Sequence, residues 1–80
     1  MNATRARIDA LDDAILDLLA ERAALVDALW IDKRAAGIAV RDPAREAEIF
    51  ERVRARALVL GLDPARVEQV FRAVVGSSDR

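Results

Sequence analysis

The sequence predicts an all-α domain of three helices, one long and two shorter. Three observations carry this expectation. Neither glycine nor proline occurs from Met1 to Ala36, so nothing interrupts a first helix. Asp-Pro occurs at Asp42-Pro43 and again at Asp63-Pro64. Each pair is a helix start, because aspartate accepts from a free backbone N–H and proline suits the first helical position. No segment alternates apolar and polar residues as a half-buried strand does.

The first helix is expected from about Thr4 to Ala35, roughly 45 Å long at 1.5 Å per residue. Gly37 opens a connection, GIAVRDP. The second helix starts at Asp42-Pro43 and turns Ile49, Phe50, Val53 and Ala57 inward. Gly61 fits the left-handed position that ends it. The third follows Asp63-Pro64, with Leu62 stapled onto Val67, and presents Val67, Val70, Phe71 and Val74. Residues 1–80 form one domain. The two shorter helices cannot cover both sides of so long a rod, so its apolar seam is expected to pack against a second copy, most simply by two-fold symmetry. Trp30, just off the seam, is expected in that interface.

Composition removes several function classes. The formal charge of −1 and pI of about 5.3 give no basic footprint for nucleic acid. The absence of cysteine and histidine leaves no disulfide, thiolate metal site or imidazole base, and no metal or cofactor is expected. No apolar run approaches the ~20 residues of a membrane span. The N-terminus, MNATRARIDALDD, has no apolar core of a signal peptide. A cytoplasmic protein without membrane partners is the expectation.

The first helix carries one anomaly. Its seam runs Ile8, Leu11, Ile15, Leu18, then Arg22, then Leu25 and Leu29, then Lys33. Arg22 and Lys33 are eleven residues apart, about three turns and ~16 Å, on nearly the same face. Arg5 lies ~25 Å from Arg22 along the axis and roughly 100° around it, so it meets Arg22 only from the partner of an antiparallel dimer. Burying cations without partners costs several kcal/mol each. Two readings follow. Acidic neighbours such as Asp27, Asp32, Glu46 and Glu48 pair with them at a wet surface, or the seam receives an anionic ligand. No Ser–His pair, glycine-rich phosphate loop or metal-ligand cluster is present. A catalyst built from these parts acts through binding, orientation and fixed charge.

The run R-x-x-I-D-x-L-D-x-x-I-L-x-L-L-x-x-R from Arg5 to Arg22 resembles the opening of the all-helical chorismate mutases. So do the spacing onward to Lys33, V-R-D-P-x-R-E from Val40 to Glu46, and G-L-D-P followed by V-x-x-V-F. The likeness covers nearly the whole chain. It implies an isomerase that rearranges chorismate to prephenate without a cofactor, in an all-α intertwined homodimer with two equivalent sites. It implies that Arg22 and the partner subunit's Arg5 clamp the carboxylates, that Lys33 donates to the ether oxygen, and that Glu46 accepts from the ring hydroxyl. It further implies that Asp42 and Arg45 hold the hydroxyl end, that Ser78 (or Ser77) touches a carboxylate, and that Leu29 and Val75 supply apolar wall. The family pattern usually carries a glutamine or glutamate one turn after the serine; that position would be 82, beyond Arg80. Isochorismate pyruvate lyases and aminodeoxychorismate mutases share the scaffold, and a non-catalytic helical dimer or effector-binding module is a third alternative.

Overall fold

The computed structural model describes residues 2–37 and 42–78, with side chains described through Gly76. The described residues form three α-helices: α1 (Asn2–Ala35), α2 (Pro43–Leu60) and α3 (Pro64–Ser78). No strand occurs among them.

Each described boundary has a local cause. Gly37 sits at φ 72° just beyond α1, in the left-handed region that glycine enters without a Cβ penalty. Asp42 has extended backbone (φ −132°, ψ 90°), and its side chain accepts from the Arg45 N–H, 3.1 Å away. At the far end of α2, Gly61 adopts φ 75°. The Leu62 N–H then donates to the Ala57 carbonyl at 2.8 Å, and the Gly61 N–H to Leu58 at 3.3 Å. These two bonds satisfy carbonyls that the helix end leaves without partners. Asp63 caps α3 by accepting from the Ala65 N–H at 3.0 Å.

The short turn at Gly61 folds α3 back along α2, and α3 is the element that also touches α1. The core is small: Trp30, Ile49, Val53 and Ala57 are its buried side chains. Trp30 is 8% exposed within a single chain, with the Arg34 guanidinium 5.5 Å from its ring centroid. Its burial is therefore supplied by its own chain, which corrects the expectation of an interface residue. Along α1 every residue from Asn2 to Glu21 is exposed. The seam residues Ile8, Leu11, Ile15, Leu18, Leu25 and Leu29 are 46–67% exposed. The molecule measures 54 × 23 × 16 Å with a radius of gyration of 15.5 Å, against ~12 Å for a compact chain of this length. No described helix is long and apolar enough to cross a membrane.

One charged network ties α2 to α3. Glu68 accepts from the Arg54 guanidinium at 3.0 Å and from Arg72 at 2.8 and 3.0 Å. The Arg72 guanidinium also lies 4.4 Å from the Phe50 ring centroid. The hydrogen bonds from Arg72 and then Arg54 hold the Glu68 carboxyl below its ordinary value of 4.5.

Two predictions follow from this architecture. A Cβ at Gly61 meets nothing within 4 Å, so Gly61→Ala should lose stability through backbone strain alone, about 1–2 kcal/mol. Gly76 is helical without positive φ and also faces open space; Gly76→Ala should be neutral or stabilise by up to about 1 kcal/mol. Urea midpoints measure both, and an equal response at the two glycines contradicts the assignment. The second concerns pH. Because the folded value of Glu68 is depressed, its contribution is complete above the unfolded value and is lost as pH falls through the folded one. The melting temperatures of wild type and Glu68→Gln should differ most near neutral pH and converge as pH falls through the depressed folded value. A gap independent of pH would show that the carboxylate charge is not what binds the two helices.

Candidate functional site

The unbroken α1 keeps the seam register, so Arg22 and Lys33 lie on the same stripe as Leu18, Leu25 and Leu29. Lys33 and Arg34 occupy the last turn of α1, where a cation meets the negative end of the helix dipole. Glu46 occupies the first turn of α2, where a carboxylate is favoured by the same effect. It also opens the stripe that Ile49, Val53 and Ala57 continue at spacings of three and four. The sequence thus places a carboxylate at the head of a buried face.

Burial separates these residues from the rest of the surface. Among the described charged side chains, Arg22, Lys33, Glu46 and Glu68 alone are half-buried, and all others are exposed. Glu68 pairs with Arg54 and Arg72. The other three are the cations on the seam and the carboxylate at the head of α2.

The end of α1 leads through seven residues to Pro43. α3 packs along α2 and also touches α1, whereas α1 and α2 make no direct contact among the described residues. Val75, near the end of α3, is half-buried. Ser78 closes α3, but its side chain lies outside the described residues, as does Ser77's. Leu29 is 51% exposed on the seam between Arg22 and Lys33.

Other expected residues stand apart. Arg5 is exposed in the N-terminal half of α1, too far along the same helix to join Arg22. Asp42 is exposed, and its side chain caps α2. Arg45 is exposed and pairs with Glu48 at 3.5 Å. Val40, which opens the motif before α2, lies outside the described residues.

Sequence reasoning missed a groove of about 770 Å³ between α2 and α3, near the Gly61 turn. Its floor includes Val53, Ala57, Val67 and Phe71, and Arg52, Arg56 and Arg66 stand among its lining residues. The apolar stripes of the two helices were legible. Their failure to close on one another was not, because it depends on the angle at which the helices cross. No group of acidic residues among the described ones has the arrangement to hold a metal ion. Two seam cations and one carboxylate, all half-buried, suit a small polar anion that also offers a hydrogen-bond donor.

A family model described as chorismate mutase type II matches residues 4–80. The T-protein of Enterobacter agglomerans is 38% identical over 78 residues, which is 98% of this chain and 21% of that protein. The chorismate mutase of Methanocaldococcus jannaschii is 42% identical over 50 residues, 62% of this chain and 50% of that protein. The chain thus spans a minor part of the first relative and half of the second. No solved structure matches significantly.

Proposed function

We propose, for a chain that belongs to the chorismate mutase type II family, that its activity is the rearrangement of chorismate to prephenate in a site shared by two copies. The observation that supports this reading is the half-burial of three charged side chains, Arg22 and Lys33 on the seam of α1 and Glu46 in the first turn of α2. Chorismate is a dicarboxylate with a ring hydroxyl, and it matches those three groups in charge and hydrogen bonding.

In the reaction one C–O bond breaks and one C–C bond forms within a single molecule. No proton is transferred, so no residue needs a tuned pKa. The substrate must be held in a compact chair-like conformer, which is a problem of orientation. Arg22 and the partner subunit's Arg5 clamp the carboxylates, and bidentate guanidinium contacts fix direction as well as charge. Glu46 accepts from the ring hydroxyl. Asp42 fixes the backbone at the start of α2, Arg45 stands beside it, and Ser78 contacts a carboxylate. Leu29 and Val75 form the apolar wall. Lys33 donates to the ether oxygen, where negative charge grows as the C–O bond opens.

The dimer follows from what the single chain leaves uncovered. The wet seam of α1 offers a continuous apolar stripe, and covering it is favoured by roughly 25 cal/mol per Å². The groove between α2 and α3 takes the N-terminal half of the partner's α1. Its arginines suit the aspartates at positions 9, 12, 13 and 17 on that half. This arrangement carries Arg5 toward the partner's Arg22. The reading assigns the enzyme to the cytoplasm, as part of aromatic amino acid biosynthesis.

The direct test follows the loss of chorismate absorbance in purified protein, with isochorismate in parallel. Turnover of chorismate to prephenate supports the reading; turnover of isochorismate alone identifies a lyase on the same scaffold; neither indicates a non-catalytic dimer. Lys33→Ala should then lose turnover by about a hundred- to a thousand-fold, ~3–4 kcal/mol, with far less change in KM, because the ether oxygen gains charge only in the transition state. Arg22→Ala should damage KM and kcat together, since a carboxylate is charged throughout. Near-normal turnover in a folded Lys33→Ala dimer would remove Lys33 from the reaction.

A further inference from the structure

The apolar surface of α1 is two stripes wide. Beside the seam, Leu16, Leu19, Ala23, Val26 and Trp30 follow one another at spacings of three and four, so they share a face. Burial along this second stripe is uneven. Trp30 is 8% exposed and Val26 is half-buried, but Leu19 is 38% and Leu16 62% exposed. The single chain covers the C-terminal end of the stripe and leaves the other end open. Continued toward the N-terminus, the same spacing gives Asp12, Asp9 and then Arg5. The open leucines are thus followed by two acids and a cation on one face.

Charge is divided between the elements. Residues 8–21 hold five acids and no basic residue, whereas residues 52–72 hold five arginines and two acids. Arg54 and Arg72 are held by Glu68. Nothing among the described residues pairs with Arg52, Arg56 or Arg66, which stand around the apolar groove between α2 and α3. The groove lies along Arg52 to Leu60 of α2, about 12 Å of helix. Asp9 to Leu19 is about 15 Å of helix, so the two segments match in length.

We propose that Asp9 and Asp12 of one copy meet Arg52, Arg56 and Arg66 of the other while Leu16 and Leu19 fill the groove, and that this ionic contact sets the register at which Arg5 enters the shared site. The proposal rests on the functional reading above for the dimer and for the use of Arg5. An apolar contact alone is non-directional and tolerates a slip of one turn. The acids remove that tolerance, as a polar group on an apolar helix face does elsewhere. A slip that draws more of the N-terminus into the groove would set Asp12 on its apolar floor and bring Arg5 toward the three arginines. A slip the other way would withdraw the acids from them. Asp12 is a positioning residue: it lies seven residues, about 10 Å, from Arg5 on the same stripe and acts through where it places that guanidinium. The divided charge also makes a second copy of this chain the complementary occupant of the groove.

The test uses the reciprocity of a two-fold contact. One chain carries Asp9→Arg and Asp12→Arg, and the other carries Arg52→Glu and Arg56→Glu. Either chain alone sets like charges against each other twice per dimer, and its dimer should dissociate about ten-fold more readily than wild type. A mixed dimer restores opposite charges at both contacts. Native mass spectrometry of an equimolar mixture should therefore show mixed dimers well above the statistical half. A parent that unfolds as a monomer still reports, because mixing should restore its helix content. A statistical mixture, or parents that dimerise as tightly as wild type, overturns the contact. For the positioning role, Asp12→Asn assayed at concentrations that keep it dimeric should lose about ten-fold in kcat/KM for chorismate, and Asp12→Glu should recover most of it. Wild-type kcat/KM in dimeric Asp12→Asn removes Asp12 from the placement of Arg5. If the wild type turns over chorismate and mixing is statistical, the proposal falls and the functional reading stands. If mixing is preferential and chorismate is untouched, the contact stands and the functional reading falls.

Discussion

The rest of the structure depends on one constraint: a helix of 34 residues, about 51 Å long at 1.5 Å per residue, carries an apolar seam that the remaining chain does not cover. α2 and α3 have 18 and 15 residues, and they pack on each other before they reach α1. The N-terminal half of α1 is exposed along its whole length. Elongated shape, a small core and an unfilled groove between α2 and α3 are three consequences of the same shortage of cover. On the proposed function a second copy covers the seam, and one cavity then receives Arg22 from one chain and Arg5 from the other.

The chemistry asked of that cavity is modest in kind and demanding in geometry. A unimolecular rearrangement offers no proton to move and no bond to make to the protein. What lowers the barrier is a conformer held ready and a fixed positive charge where negative charge appears. A chain without histidine or cysteine has the groups for that task in arginine, lysine and glutamate. Half-burial strengthens each electrostatic contact relative to one in open water. In the proposed dimer the seam is covered and water is excluded there, which gives cations on an apolar seam a use.

Most of the architecture was legible because its signals are local. The absence of breakers before Gly37, the two Asp-Pro starts and the left-handed Gly61 placed the helices to within about two residues, the ordinary uncertainty of helix ends. The odd charges at Arg22 and Lys33 were legible from periodicity, and both are half-buried in the structure. Glu46 had been weighed only as a salt-bridge partner until the family resemblance supplied a role. What local signals cannot carry is the relation between helices. Trp30 is expected from the sequence at a contact between copies, yet it is buried within one chain. The contacts between α2 and α3 and the groove between them depend on crossing angle and register, which no single helix encodes. Arg45 illustrates the same limit, since its observed partner, Glu48, is a neighbour on its own helix.

On the proposed function each site is completed by Arg5 from the other subunit. The most direct measurement mixes two chains that are each inactive, Arg5→Ala and Arg22→Ala, and assays verified heterodimers. A heterodimer then contains one site in which both arginines are intact and one in which both are missing. The account predicts recovery of about half the wild-type turnover per dimer, since one intact site acts through the same contacts as before. Heterodimers with no more activity than their parents would contradict it, and would confine Arg5 to its own chain.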